Sequence, residues 1–345
     1  MTFQLGVYTF GDIPTDPSTG MLISPAQQLT ETIERIRLAD QAGLDWFGIG
    51  EHHRAEYSIS SPATVLAAAS TVTKSIRLSS AVTVLSTEDP VRVFQQFATI
   101  DLLSGGRVEL AAGRGSFIES FPLFGANLAD YDDLYEEKLG LLLELNASER
   151  VTWRGRFRPA LNDALILPRP HSEKLDIWIA TGGNPESSMR AGYLGLPINY
   201  AVIGGYPEQF APLAALYRQS AQKAGHDATD LKVAVSGPGF LAPTSQEAKD
   251  TLFPYWKSSM TKIAAERGFT APSRLGYDTQ TAKRGAIFAG SPNEVADKIV
   301  ALHEHLGYDR HCLQMDWSGV PHALVMRSIE LLATEVLPQV RAALD

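Results

Sequence analysis

Between Ile76 and Phe124 the chain reads strand, turn, helix, turn, strand and then a glycine-arginine loop, an order that leaves few folds open. Ile76 to Leu85 is β-branched and apolar. Asp89-Pro90 follows as an N-cap with proline at the first helical position. Val91, Phe94, Ala98 and Leu102 then recur at spacings of three and four, and Ser104-Gly105-Gly106 ends the run before Arg107 to Ala112. Two successive strands joined by a helix run parallel and deliver their C-terminal ends to the same side of a sheet. The second ends at Gly113-Arg114-Gly115, where a fixed cation sits between residues that let backbone approach a ligand.

The same rhythm extends along the chain. Phe3 to Phe10, Asp45 to Gly50, Asp176 to Ala180, Ile198 to Ile203, Leu231 to Ser236 and Arg310 to Met315 read as further strands, with helical patterns between them. Eight strand-helix alternations predict a (β/α)8 barrel of the TIM type, and an open doubly wound sheet produces the same alternation. The chain reads as one barrel domain over 1–345 with two excursions. Val151 to Pro170 predicts a small hairpin, having too few apolar residues for a core of its own. From Pro243 to Gly285 regularity fails apart from a helix around Thr261 to Arg267, which suits either a lid or plain packing.

Composition narrows the function classes. A formal charge of −9 and a pI near 5.4 argue against nucleic-acid or anionic-membrane partners, which select clustered Lys and Arg. The one cysteine, Cys312, lies in an apolar strand and reads as packing in a reducing compartment. With a strand at the N-terminus and no apolar run of bilayer length, the expectation is a cytoplasmic protein.

Three places could carry chemistry. Glu51-His52-His53 closes the second strand, where a barrel presents its active face and an imidazole can accept a proton near neutral pH. His52 is the candidate base, and a hydrogen-bonded structural pair is the bland alternative. Glu with two His could also hold a metal, but neighbouring strand residues point to opposite faces, so no metal site is expected. The second place is Thr181 to Ser188, in which Gly182 and Gly183 precede an Asn184 N-cap and Pro185. That arrangement leaves amides for an anion, and Ser187 and Ser188 add hydroxyls. Gly113-Arg114 is the third, supplying the charge if the two loops face each other. Phe117, Phe121 and Phe124 could border a planar ring or simply pack. Walker, Rossmann, GxSxG and HExxH patterns do not occur.

Taken together, Glu51-His52-His53, Ser79 to Leu85, Asp89 to Arg92, the SGGR turn ending at Arg107 and Gly113-Arg114-Gly115 resemble, in order, the motifs of the bacterial luciferase-like flavin monooxygenases. The segment after Gly115 is similar to a subgroup of FMN-dependent oxidoreductases of undefined substrate. The resemblance implies FMN at the C-terminal face of a barrel, reduced by a separate flavin reductase, with O2 and a small organic molecule as co-substrates, in a homodimer. It matches Arg114 to a phosphate-binding arginine and Gly183, Asn184 and Ser187 to a phosphate loop. His52 matches a catalytic base, and Ala81-Val82 a non-prolyl cis peptide behind the flavin. The chain departs from luciferases at Gly182-Gly183-Asn184, which replaces a carboxylate-containing loop. An F420-dependent hydride-transfer enzyme and a flavin-storage protein are the alternative readings.

Overall fold

The computed structural model describes residues 2–13, 21–115, 117–227, 229–268, 270 and 272–345. Among them, eight strands close into a parallel barrel: β1 (Gln4–Thr9), β2 (Trp46–Ile49), β3 (Arg77–Ser80), β4 (Val108–Gly113), β5 (Asp176–Thr181), β6 (Ile198–Ala201), β7 (Val233–Leu241) and β8 (Arg310–Gln314). Each pairs with its sequence neighbour, and β8 returns to β1 with Gly6 opposite Cys312. The expected closed barrel is therefore present and the open sheet is not. All eight strands overlap those read from the sequence, although β7 runs on five residues past the expected end at Ser236 to Leu241. Ile76 to Leu85 is the one that breaks, because β3 stops at Ser80, the Ala81–Val82 peptide is cis, and Thr83–Val84 resumes as a short strand on the end of β4.

Alternation along each strand separates two layers of packing. Leu5, Val7, Phe47, Ile49, Leu78, Leu110, Ile177 and Ile179 face the helices and join the main core. Tyr8, Trp46 and Cys312, with Ala111, Trp178 and Ala234, form separate clusters inside the barrel. The inner face is tight enough to exclude side chains at set points: a Cβ on Gly48 would lie 2.2 Å from the Trp46 ring. Burial pushes the Cys312 thiol up to about 12, so it packs rather than reacts.

The floor of the barrel is ionic. Glu109 accepts hydrogen bonds from Arg310 at 2.7 and 2.9 Å, from Arg77 at 2.5 Å and from the Trp46 indole at 2.9 Å. The Arg310 guanidinium also lies 4.5 Å from the Trp178 ring centroid. Paired this way, Glu109 is held down at about 2 although burial opposes it, chiefly by the field of Arg310.

Helix termini follow their sequence signals. Ser24 caps Pro25–Ala42, Asp89 caps Pro90–Ser104 and Ser291 caps Pro292–Leu306, each accepting from a first-turn amide. The first excursion is an antiparallel hairpin, Arg150–Trp153 with Leu161–Leu165. The second is more regular than its sequence suggested, with helices Ser245–Arg267 and Arg274–Thr281. A short strand, Phe288–Gly290, follows and pairs with the far end of β7.

Candidate active site

The C-terminal ends of the strands carry the residues picked out by the sequence. His52 follows β2 and is enclosed by aromatic rings: Phe10 at 4.4 Å between centroids, Tyr57 at 4.5 Å and Phe117 at 4.9 Å. Phe10 comes from the end of β1, Tyr57 from the β2 loop and Phe117 from the β4 loop. This enclosure corrects one expectation. Burial first, then the positive field of Arg54 and of His53, pushes the His52 imidazole down to about 3, far from its ordinary value near neutrality. His52 is thus a neutral imidazole, able to accept a proton but only weakly basic until something stabilises its cation.

His53 has a different role. Its Nε2 lies 2.9 Å from Glu51 Oε1, while Glu51 Oε2 accepts the Val84 amide at 2.9 Å. Glu51 therefore ties the end of β2 to the backbone beyond Ala81–Val82. Its carboxyl is raised by burial. Glu51, His52 and His53 do not converge on a common point, because one imidazole is bonded to the carboxylate and the other is in the aromatic cage. Val82 packs over the end of β4, and a Cβ on Gly113 would lie 2.4 Å from a Val82 methyl. Glycine at 113 is what lets these two strand ends meet.

Arg114 and the loop after β5 do come together. Arg114 Nη2 lies 3.5 Å from Ser187 Oγ, and its Nη1 pairs with Asp132 at 2.5 Å. The amides are less available than the sequence implied. Thr181 Oγ1 accepts from Gly183 and Asn184, and Asn184 caps its own helix through the Ser187 amide. Ser188 is turned inward: it is fully buried, its hydroxyl bonds Tyr200 at 3.0 Å and its amide bonds Asn184 O. What remains for an anion is the Arg114 guanidinium, the Ser187 hydroxyl and the positive end of helix Pro185–Tyr193. Beside them, a Cβ on Gly182 would meet only open space. A phosphate fits this donor set, with Asp132 as the group it would displace from Arg114.

Sequence reading missed a buried acidic pair on the β1–β8 side. Asp12 accepts from the Ser318 amide and Gln314, while Asp316 accepts from Thr9 and from Arg35. Among the described residues, Asp316 Oδ1 is buried without a hydrogen-bond partner. Burial raises both carboxyls, Asp12 the further because Asp316 adds its charge. The partners lie some 300 residues away in sequence, so no local spacing announces the pair. The polar, Pro/Gly-rich run from Gly11 to Gly20 reads from sequence as a loop over a strand end, and its residues 14–20 lie outside the described residues.

Residues 3–310 match the luciferase-like monooxygenase family. Among relatives, 4-hydroxyprotoasukamycin monooxygenase of Streptomyces nodosus subsp. asukaensis is 27% identical over 336 residues, covering 93% of this chain and 89% of that protein. The monooxygenase RslO1 from Streptomyces bottropensis superposes with a TM-score of 0.84 at 25% identity, over 97% of this chain and 99% of that one. The oxygenating constituent of 3,6-diketocamphane monooxygenase from Pseudomonas putida, solved with FMN, shares the fold at a TM-score of 0.78 and 21% identity, over 98% of each chain. The family includes FMN- and F420-dependent enzymes. The chain belongs to the luciferase-like monooxygenase family.

Proposed function

We propose that the protein is an FMN-dependent monooxygenase that oxidises a small organic substrate with O2, its flavin reduced by a separate reductase, and that it works as a homodimer. The observation that carries this reading is the approach of Arg114 to Ser187 on the barrel face that also holds His52. Arg114 and Ser187 would hold the phosphate, with Gly182 and Gly183 leaving room beside it. Val82 and the end of β4 would form the wall behind the ring. Bound reduced FMN supplies the electrons for oxygen activation. The aromatic residues around His52 exclude water, which strengthens every polar interaction in the chamber. His52 accepts a proton at an imidazole nitrogen from the reacting substrate or gives it back, its cation stabilised only as negative charge develops nearby.

The test is a paired titration with FMN and F420, followed by anaerobic reduction and mixing with oxygen. FMN should bind in preference, and Arg114→Ala should weaken FMN more than riboflavin, because only FMN carries the phosphate. Preference for F420 would overturn the cofactor assignment, and equal losses for FMN and riboflavin would overturn Arg114 as the phosphate ligand. Flavin binding without substrate oxidation would mark a storage protein.

A further inference from the structure

The helix Ser245–Arg267 packs against β7 and the strand Phe288–Gly290 and ends at the mouth, where two loops and the helix terminus meet on a single guanidinium. Arg54, in the loop after β2, reaches Glu119 in the β4 loop at 2.8 Å and Glu266 in the last turn of the helix at 2.5 and 3.0 Å. It also bonds Glu56 in its own loop at 3.3 and 3.4 Å. Lys262, one turn earlier in the helix, approaches Glu56 at 4.0 Å. The guanidinium of Arg54 lies 4.7 Å from the Phe117 centroid, and that of Arg267 lies 5.6 Å from the same ring. Phe117 in turn meets the His52 ring edge-on. The helix terminus, Arg54, Phe117 and His52 thus form one continuous stack over the end of β2.

The balance of forces in this stack is electrostatic rather than apolar. The last three turns of the helix are mostly exposed and contribute few buried side chains: of residues 257 to 267, Ala264 is the one that is fully buried. Glu266 is itself 42% exposed. Exposed ion pairs are individually weak and screened by salt, but three carboxylates on one planar, multidentate cation are placed better than an isolated pair. The contacts that hold the helix end at the mouth are therefore chiefly ion pairs of partly exposed groups, the kind that salt screens.

We propose that Arg54 is a positioning residue for the His52 chamber, gathering Glu119 and Glu266 so that the end of helix Ser245–Arg267 and Phe117 together wall off the imidazole. This rests on His52 lying in the reaction chamber but not on which cofactor the chamber takes. The wall opens by loss of the Arg54–Glu266 pair, and substrate size is limited by how far the helix end must move.

Reactivity of the His52 imidazole toward diethyl pyrocarbonate tests this directly in the full chain, because the reagent acylates neutral imidazole nitrogens and peptide mapping assigns each adduct. Exposed His305 serves as the internal reference. Glu266→Gln should speed modification of His52 roughly three- to tenfold, as expected for losing a multidentate pair of partly exposed groups, and leave His305 unchanged. Added salt should raise the parental His52 rate towards that of the variant and have little effect on the variant itself. Glu119→Gln, in the β4 loop, should act in the same direction. Equal His52 rates in parent and Glu266→Gln, or an acceleration shared by His305, would overturn the proposal. A chain that binds F420 in place of FMN yet shows the shielded His52 would remove the cofactor reading and leave this one intact.

Discussion

At the scale of single residues, the environment of His52 decides how it can work. A neutral imidazole held near 3 by burial should not produce the usual histidine inflection near neutrality in the pH dependence of turnover. His52→Ala should retain FMN and lose turnover on the order of 10² to 10⁴-fold in single-turnover oxidation at matched flavin occupancy. Parental turnover in that variant would remove His52 from the chemistry. His53→Ala should act differently, by freeing Glu51 and loosening the backbone at Val84. Asp132→Asn offers a complementary check on the anion site. Removing a carboxylate from Arg114 should tighten FMN a few-fold and leave riboflavin unchanged, since exposed pairs contribute at most about 1 kcal/mol. Unchanged FMN affinity would show that Asp132 does not compete with the phosphate. Position and residue type pointed to Arg114 and Ser187, which the fold brings to 3.5 Å of each other, and to His52, which it seats among aromatic rings at the end of β2. The inward turn of Ser188 was not legible, because it depends on Tyr200 arriving from another strand.

Among the elements, the strands were the most legible, since alternation of buried residues survives whatever packs against them. Charged residues inside β4 and β8 carried no comparable signal: Glu109 and Arg310 are 201 residues apart and only closure of the barrel pairs them. Helix Ser245–Arg267 was read only in its last turns because Pro254 lies within it and its buried positions are sparse. The three-residue strand Phe288–Gly290 is too short to show a period. The floor cluster gives an element-scale prediction. Glu109→Ala would leave the buried Arg310 guanidinium without its carboxylate, while the partly exposed Arg77 keeps Asp176 at 3.2 Å, and loss of one partner of a buried pair costs about 3 to 5 kcal/mol. Urea unfolding should show that loss through a lowered midpoint with unchanged slope. A midpoint within experimental scatter of the parent would mean that Arg310 finds another acceptor.

The whole molecule should carry these buried charges into its response to pH. His52 and His311 are both depressed by burial from 6.5 to about 3, so the unfolded chain binds protons that the folded chain refuses. Their contribution is present above the unfolded value and is lost as pH falls from 6.5 towards 3, at about 1.4 kcal/mol per pH unit for each histidine in the middle of that window. Glu109, lowered from 4.5 to about 2, adds a loss in the same direction that begins below 4.5 and completes near 2. Asp12 and Asp316 work oppositely. Their folded values are raised above 3.8, so their ionisation destabilises the fold as pH rises, and acid partly relieves it. Stability from urea unfolding should therefore fall between pH 6.5 and 4.5 as the histidines take up protons on unfolding, offset in part by the acidic pair. Below 4.5 the decline should steepen as Glu109 joins it. Replacing His52 by Leu should flatten the upper part of the curve by up to about one proton's worth of slope, and His311→Leu should do the same. A slope between pH 6.5 and 4.5 that is the same in the parent and both variants would show that neither imidazole is held neutral by burial, and the weakly basic His52 on which the proposed chemistry depends would fall with it.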